Sequence, residues 1–144
     1  MVDALRRAHR MVKSNGYVVD LHPSAARACV EIGSNKTGYV DAGDAPLRHA
    51  AASAALAVAV NERLFAVEHS LIFTFYTYGD TIEELRDYVV ENWRNGRIDD
   101  ETVARTREVL RVASAVRPRI REDVHIVKLR PITDVSGNAS PSTP

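Results

Sequence analysis

The chain has 144 residues and carries 19 Lys and Arg residues against 19 Asp and Glu residues, so its formal net charge is zero at pH 7. This length suits one domain with its own hydrophobic core. The balanced charge excludes an overall electrostatic preference for nucleic acid or for an anionic membrane surface.

The first part of the chain predicts a helix, a strand and a hairpin. Apolar residues recur at helical spacing over residues 3–13, and a Lys-Ser-Asn-Gly turn closes this helix. The strand that follows starts at Tyr17 and ends at Leu21, and its apolar run is typical of a strand covered on both faces. Residues 27–33 and 37–41 carry β-forming side chains around a polar turn, which predicts a hairpin.

The second part predicts three helices and two strands. These are a helix over about residues 45–63, a long strand over 64–78, a helix from Thr81 to before Gly96, a helix from Asp99 to before Pro118, and a strand over 119–130. Small side chains lie on nearly every side of the first of these helices, which predicts close burial against a sheet or a partner. In the long strand, Phe73 and Phe75 fall on one face, and Tyr76 and Tyr78 on the other. The tail over residues 132–144 is rich in Ser, Pro and Gly, which predicts disorder.

The turn after the first helix, VKSNG over residues 12–16, resembles one segment of class I S-adenosylmethionine-dependent methyltransferases. In that family a helix ends in an L-K-P-G-G turn and leads into the fifth strand of the sheet. The resemblance implies one domain over residues 1–131, equivalent to the C-terminal half of a methyltransferase-like domain. The implied fold is α/β (α+β), a short mixed sheet with a β-hairpin, flanked by about four helices. The last strand, 119–130, would run antiparallel between strands 17–21 and 64–78.

Cofactor binding in that family uses a glycine-rich turn at which the backbone approaches S-adenosylmethionine. The chain has no G-x-G motif, and Gly33, Gly38 and Gly43 are spaced as turn residues around the hairpin. The resemblance therefore implies a truncated domain that lacks the cofactor-binding half. We expect no cofactor, unless another chain completes a site for S-adenosylmethionine.

Asp20 and His22, at the end of the first strand, are the candidates for catalysis. Alternation along a strand puts both on one side, where they can form an acid–base pair at the edge where open α/β sheets bind ligands. The structural alternative is an exposed strand end, with Asp20 capping a turn and His22 preceding Pro23. The five histidines show no H-x-x-x-H, H-x-H or Cys-paired spacing, so we predict no metal site.

Four residues of the long strand are candidates for ligand binding: Glu68, His69, Tyr76 and Tyr78. Glu68 and His69 are adjacent, so a regular strand points them to opposite faces and keeps them from forming one site. Tyr76 and Tyr78 share a face, which suits either an apolar ligand pocket or ordinary core packing.

Arginines near the C-terminus offer a different kind of surface. The series is Arg105, Arg107, Arg111, Arg117, Arg119 and Arg121. Such a series suits a basic strip for phosphate or nucleic acid. Glu108, Glu122 and Asp123 interleave with it, which favours a solvated face and makes a nucleic-acid partner the weaker interpretation.

The single cysteine, Cys29, excludes an internal disulfide, indicates a reducing compartment and suits a small buried hydrophobe. The N-terminus is charged rather than apolar, unlike a signal peptide. The longest apolar run, residues 50–60, is too short to span a bilayer. We therefore expect a soluble, cytoplasmic protein without a membrane partner.

If the methyltransferase resemblance holds, the first strand has lost a neighbour, and an open apolar strand edge is prone to pair with another chain. We expect a homodimer, formed through the strand from Tyr17 to Leu21 or through the helix from Ala50 to Val60, with a partner protein as the alternative. The leading functional interpretation is a non-catalytic, dimeric binding or interaction module. One alternative is an enzyme, either a methyltransferase completed by a second chain or a small-molecule enzyme that uses Asp20 and His22. The other is a nucleic-acid adaptor.

Overall fold

The structure is a computed structural model that describes residues 1–113 and 116–133. Within these residues the elements are α1 (Val2–Met11), β1 (Val18–Pro23), β2 (Cys29–Ile32), β3 (Asn35–Tyr39), α2 (Ala45–Asn61), β4 (Phe65–Tyr78), α3 (Ile82–Asn92), α4 (Asp100–Val112) and β5 (Pro118–Pro131). The predicted fold class is confirmed: a sheet with a β-hairpin, flanked by four helices. From residue 134 onwards, the tail that we predict to be disordered lies outside the described residues.

The last strand, β5, is the centre of the sheet. β4 pairs with β5 along one edge, and β1 and β2 share the other edge, with β3 outside β2. All of these pairings are antiparallel. The last strand therefore lies between the first strand and the long strand and runs opposite to both, which is the arrangement that the resemblance implies.

The register divides the sheet into two faces, because residues directly opposite each other in an antiparallel pair point to the same side. Val127 and Leu129 of β5 pack against Leu5 of α1 and Leu56 of α2, and this side is called the α1–α2 face. Ile120 of β5 packs on the other side, called the α3–α4 face. There it joins a core to which α3 and α4 contribute Ile82, Leu85, Val89 and Val103.

Each helix pair covers only half of its own face. On the α1–α2 face the buried residues lie toward the C-terminal end of β5, whereas on the α3–α4 face they lie toward its N-terminal end. The helices that make this arrangement begin as the sequence predicts. The Thr81 hydroxyl accepts a hydrogen bond from the Glu84 backbone N–H at 3.1 Å, and the Asp99 carboxylate accepts one from the Thr102 backbone N–H at 2.6 Å.

The prediction that the first strand is covered on both faces is wrong. Tyr17, Val19 and Leu21 are 58%, 49% and 58% exposed. They lie on the α3–α4 face at the end where α3 and α4 do not reach, since Val19 pairs with Lys128 and Leu21 with Ile126. The apolar residues of this strand therefore include one set that no helix of the described chain covers.

The small-residue helix α2 is packed on one side only. Ala52, Ala55 and Ala59 are buried against the sheet and α1, whereas Leu47 and Val58 on the opposite side are exposed. Close packing on one side agrees with the prediction, and the other side faces no part of the described chain. None of the helices in residues 1–113 and 116–133 is long and apolar enough to cross a membrane.

Candidate functional site

Asp20 and His22 are in direct contact on the α1–α2 face. Asp20 lies opposite Val127 and His22 opposite His125 in the register, so both side chains point toward α2. His22 Nδ1 lies 2.6 Å from Asp20 Oδ2, and His22 is only 7% exposed. The strand end is therefore buried here, not exposed as in the structural alternative, because α2 packs over it.

Ser53 of α2 extends this contact into a relay of three side chains. Its Oγ lies 3.0 Å from His22 Nε2. With Nδ1–H donating to the Asp20 carboxylate, Nε2 is left to accept the Ser53 hydroxyl proton. The same hydroxyl can instead donate to the His49 carbonyl oxygen at 3.3 Å, one helical turn earlier. The sequence offers little sign of Ser53 beyond its being a lone hydroxyl in an alanine-rich helix.

A surface groove of about 300 Å³ opens beside the relay, between α2 and the sheet. Ser53, Ser70 and His125 border it, and His125 Nε2 lies 2.8 Å from Ser70 Oγ. The His125 ring also meets the His22 ring edge to face, with 5.4 Å between ring centroids. The groove thus combines two serine–histidine contacts with apolar walls from Leu56, Ala57, Val60, Val67 and Val127.

A larger cleft of about 560 Å³ lies in the gap between β1 and β2, which pair with successive parts of the same edge of β5. Pro23 is the last β1 residue paired with β5, at Val124, and Cys29 is the first β2 residue, at Arg121. Between these pairs, residues 122 and 123 of β5 have no strand neighbour on that edge. The start of α2 and the residues after α3 close the sides of the cleft.

The cleft contains ionisable groups whose pKa values are shifted by burial. Burial raises the pKa of the Glu122 carboxyl above its usual range. Burial lowers the pKa of the His49 imidazole, although a hydrogen bond with the Ser24 carbonyl opposes this effect. Trp93 and Arg94 line the opposite wall. The sequence patterns assign no site role to most of these residues, because the wall is assembled from segments that are distant in sequence.

Glu68 is an ion-pairing residue at the other end of the sheet. A β-bulge between Val67 and His69 leaves Glu68 outside the regular pairing, and its carboxylate contacts Lys128 and Arg130. These two contacts lower the pKa of Glu68 to about 2. His69 pairs with Lys128, so the bulge brings Glu68 and His69 to the same face and the prediction of opposite faces is wrong. Asp20 and His22 lie on the opposite face of the sheet, so neither Glu68 nor His69 shares a site with them.

Tyr76 and Tyr78 share the α1–α2 face with the relay but lie at its far end. Their ring centroids are 6.1 Å apart, and the Arg119 guanidinium stacks on Tyr76 at 4.1 Å from its centroid. Arg119 is in turn bound to Glu31 at 2.8 Å. The tyrosines therefore belong to a stacked, ion-paired surface, and the structure does not bring them together with the catalytic candidates.

The arginine series near the C-terminus is largely neutralised by carboxylates. The arginine–carboxylate pairs are Arg105–Glu101, Arg107–Glu83, Arg117–Asp80, Arg119–Glu31 and Arg121–Asp123.

Cys29 is buried, and burial raises the pKa of its thiol, as expected for a small buried hydrophobe. In the part of the chain that the structure describes, no three His, Cys, Asp or Glu side chains are grouped to hold a metal ion.

Comparison of the chain with protein-family models, with curated proteins and with solved structures finds no match. The methyltransferase resemblance therefore stays a prediction that rests on the turn at residues 12–16 and on the order of the elements. Three features remain as candidate sites: the Asp20–His22–Ser53 relay, the cleft between β1 and β2, and the exposed half of the α3–α4 face.

Proposed function

We propose that the chain is a non-catalytic interaction module that works as a homodimer, in which two copies stack the exposed halves of their α3–α4 faces. The observation that carries this proposal is a patch of apolar side chains across three neighbouring strands. Its members, called the open patch, are Val19, Leu21 and Pro23 of β1, Val124 and Ile126 of β5, and Leu71, Phe73 and Phe75 of β4.

The open patch is arranged in rows. Leu21, Ile126 and Leu71 form one row across the strands, and Pro23, Val124 and Phe73 form the next. With strands about 4.8 Å apart and same-face residues about 6.7 Å apart, each of the eight members covers about 32 Å², so the patch extends over roughly 260 Å². A standard interface buries about 800 Å² on each partner, a little over half of it apolar. The patch is therefore of the size expected for the apolar centre of such an interface.

A second copy of the chain is the occupant that the charges favour. The chain has no net charge, so two copies do not repel each other. The rim of the patch carries both signs, with Glu68 beside Lys128 and Arg130, and thus selects neither a strongly basic nor a strongly acidic partner. Two equal patches related by a two-fold axis match each other in size and polarity, and stacked sheets are held about 10 Å apart by such side chains.

The proposal keeps one of the two expected dimer surfaces and refines it. Val19 and Leu21, two members of the open patch, contribute the exposed face of the first strand rather than its edge. The other expected surface is the helix from Ala50 to Val60, which is part of α2. Its outer side is exposed, and α2 lies on the opposite face of the sheet. One variant on each surface therefore separates the two modes of dimerisation.

The test is the molar mass in solution at high micromolar concentration, measured by sedimentation equilibrium. We expect a dimer for the wild-type chain and weaker dimerisation by at least about 10-fold for Leu21→Glu and for Phe73→Glu, since each buries a charge in the apolar centre. Ala54→Glu, on the exposed side of α2, is the matched control and should stay dimeric. A monomeric wild-type chain, or a dimer that only Ala54→Glu disrupts, would overturn the proposal.

A second candidate function is a small-molecule enzyme, and the relay of 2.6 Å and 3.0 Å contacts is the observation that favours it. In an acyl transfer, Ser53 Oγ would form a bond to the carbonyl carbon while its proton passes to His22 Nε2. The leaving group would then take that proton. Asp20 would orient the imidazole and stabilise its positive charge.

Hydrolysis of 4-nitrophenyl acetate tests this candidate. If the relay is catalytic, Ser53→Ala, His22→Ala and Asp20→Asn each lose most of the protein-dependent rate while the folded circular dichroism spectrum is kept. Ser34→Ala, in the hairpin turn, is the control hydroxyl and should keep the full rate. An unchanged rate in Ser53→Ala would mean that the relay only packs α2 on β1. The interaction module would then be the one proposed function that is kept.

A further inference from the structure

We propose that the cleft between β1 and β2 binds a small organic monoanion with a ring-sized apolar body. The cleft adjoins the open patch at Pro23, which belongs to both, but it contains none of the three relay residues and needs no second copy of the chain. The cleft volume of about 560 Å³ is in the range typical of sites that enclose small molecules.

The fold provides the space for this ligand. β1 and β2 lie on the same edge of β5 but do not meet, which leaves an opening beside residues 122 and 123. Ser24 N donates to the Asp123 carbonyl oxygen at 2.7 Å, so this backbone group is satisfied at the base of the opening. The opening is therefore a stable gap in the sheet edge, and filling it requires no strand to be displaced.

The charged groups that line the cleft are equal in number but differ in how well they are paired. Three guanidinium groups face three carboxylates: Arg27, Arg48 and Arg94 against Asp41, Glu122 and Asp123. Two of these carboxylates already have partners outside the lining, since Asp41 binds Arg97 at 2.8 Å and Asp123 lies 3.4 Å from Arg121.

The guanidinium groups are less well compensated. Arg48 pairs with Asp44. Arg27 lies over the Tyr39 ring, 4.6 Å from its centroid. Among the described residues, neither Arg27 nor Arg94 forms an ion pair. Two unpaired guanidinium groups against the single carboxyl of Glu122 leave a surplus of about one positive charge, which suits a monoanion rather than a dianion.

Apolar side chains define the rest of the ligand. Pro23, Ala26, Val40, Pro46 and Trp93 contribute to the walls. Trp93 packs partly against the core, so its indole is held in place and offers a flat surface to a ring. A free inorganic anion would leave this surface unused. The ligand that matches both features carries one carboxylate or a similar anionic group on an aromatic or alicyclic body.

The experiment compares two probes of the same shape by calorimetric titration, 1-naphthoate and its uncharged counterpart 1-naphthamide. We expect 1-naphthoate to bind at least about 10-fold more tightly, a difference of about 1.4 kcal/mol. The chain has one tryptophan, so one indole N–H signal reports the site in ¹H–¹⁵N spectra. That signal should shift with 1-naphthoate.

Variants locate the binding. Arg94→Gln and Arg27→Gln should each weaken 1-naphthoate binding at least about 10-fold, whereas Arg10→Gln, on the exposed side of α1, should leave it unchanged. Leu21→Glu should also bind normally, so failure of the dimer and failure of the cleft are distinguishable. The proposal is overturned if 1-naphthoate gives no heat at millimolar concentration, if both probes bind equally, or if Arg94→Gln binds as the wild-type chain does.

Discussion

The hydroxyl oxygens of Thr37 on β3 and Thr106 on α4 lie 2.7 Å apart in the protein interior. Thr37 is 1% exposed and Thr106 is fully buried. The Thr106 hydroxyl also reaches the Thr102 carbonyl oxygen at 2.7 Å, so Thr106 can donate along its own helix while it accepts from Thr37. This pair is a polar link between the hairpin and the last helix within an apolar environment.

A double-mutant cycle tests the strength of this link. We expect Thr37→Val and Thr106→Val each to lower the free energy of unfolding by about 1–2 kcal/mol, because each leaves a buried hydroxyl with one partner fewer. The double variant should lose less than the sum of the two, since it removes both hydroxyls at once. Urea denaturation measures all three values. Strict additivity would show that the two hydroxyls do not interact.

Gly38 is required where β3 passes beneath α4. A Cβ atom at this position would lie 2.1 Å from Thr102 Oγ1 and 2.8 Å from Thr102 Cβ. The Thr102 side chain is short and β-branched and cannot move far, so Gly38→Ala should lower the free energy of unfolding by more than about 3 kcal/mol. Thr102→Ala removes the closest contact and should recover part of the loss in the double variant, as measured by urea denaturation. Equal destabilisation in both backgrounds would show that Thr102 is not the obstacle.

Glu68 makes the stability of the protein depend on pH on the acidic side. Its pKa falls from 4.5 to about 2 on folding, because Lys128 and Arg130 bind the ionised carboxylate. A depressed pKa stabilises the folded state above the unfolded pKa, and this contribution is lost as the pH falls toward the folded pKa. Glu68→Gln should therefore be less stable than the wild-type chain at pH 7. In denaturation series the difference should shrink between about pH 4.5 and pH 2.

Glu122→Gln should change the free energy of unfolding in the opposite direction to Glu68→Gln. Burial raises the pKa of Glu122, so the ionised form is less favourable in the folded state than in the unfolded state. The variant should be more stable than the wild-type chain at neutral pH. That advantage should fade as the pH falls from the folded pKa toward the unfolded pKa, and it should be gone below the unfolded pKa, where the carboxyl is protonated in both states. If the two variants instead changed the free energy of unfolding in the same direction at neutral pH, ion pairing at Glu68 and burial at Glu122 would be excluded as separate causes.

Titration with S-adenosylhomocysteine tests whether a methyltransferase site is completed by a second copy. The chain lacks a G-x-G turn, so we expect no heat of binding for a chain shown to be folded. Micromolar binding by the dimer, lost in the monomeric Leu21→Glu variant, would instead favour a shared site. In that case the protein would be an enzyme completed by dimerisation rather than an interaction module.

Much of the fold could be predicted from local patterns. The capping residues Thr81 and Asp99 mark the starts of α3 and α4, and the alternation in the long strand places Phe73 and Phe75 on one face. These features depend on neighbours within a few residues. The bulge at Glu68 could not be predicted in this way, because a single extra residue in a strand is specified by its pairing with β5.

The site was only partly predictable. Alternation along the first strand places Asp20 and His22 on one side, and the structure brings them into contact. Ser53 is 31 residues away from His22 in the chain, and no motif links the two. The cleft likewise depends on the spacing of β1 and β2 along β5, which is a property of the pairing register rather than of any one segment.

The sequence by itself determined the kind and order of the elements, the helix starts and the alternation of faces, because these follow from backbone geometry and nearby hydrogen bonds. Only the tertiary structure decided which apolar residues are covered. Leu129 and Leu21 both belong to apolar strands, yet Leu129 lies beneath α1 and α2, whereas Leu21 lies on the α3–α4 face beyond the end that α3 and α4 cover. The reason is that burial depends on where a helix crosses the sheet, and that position is set by packing between distant segments.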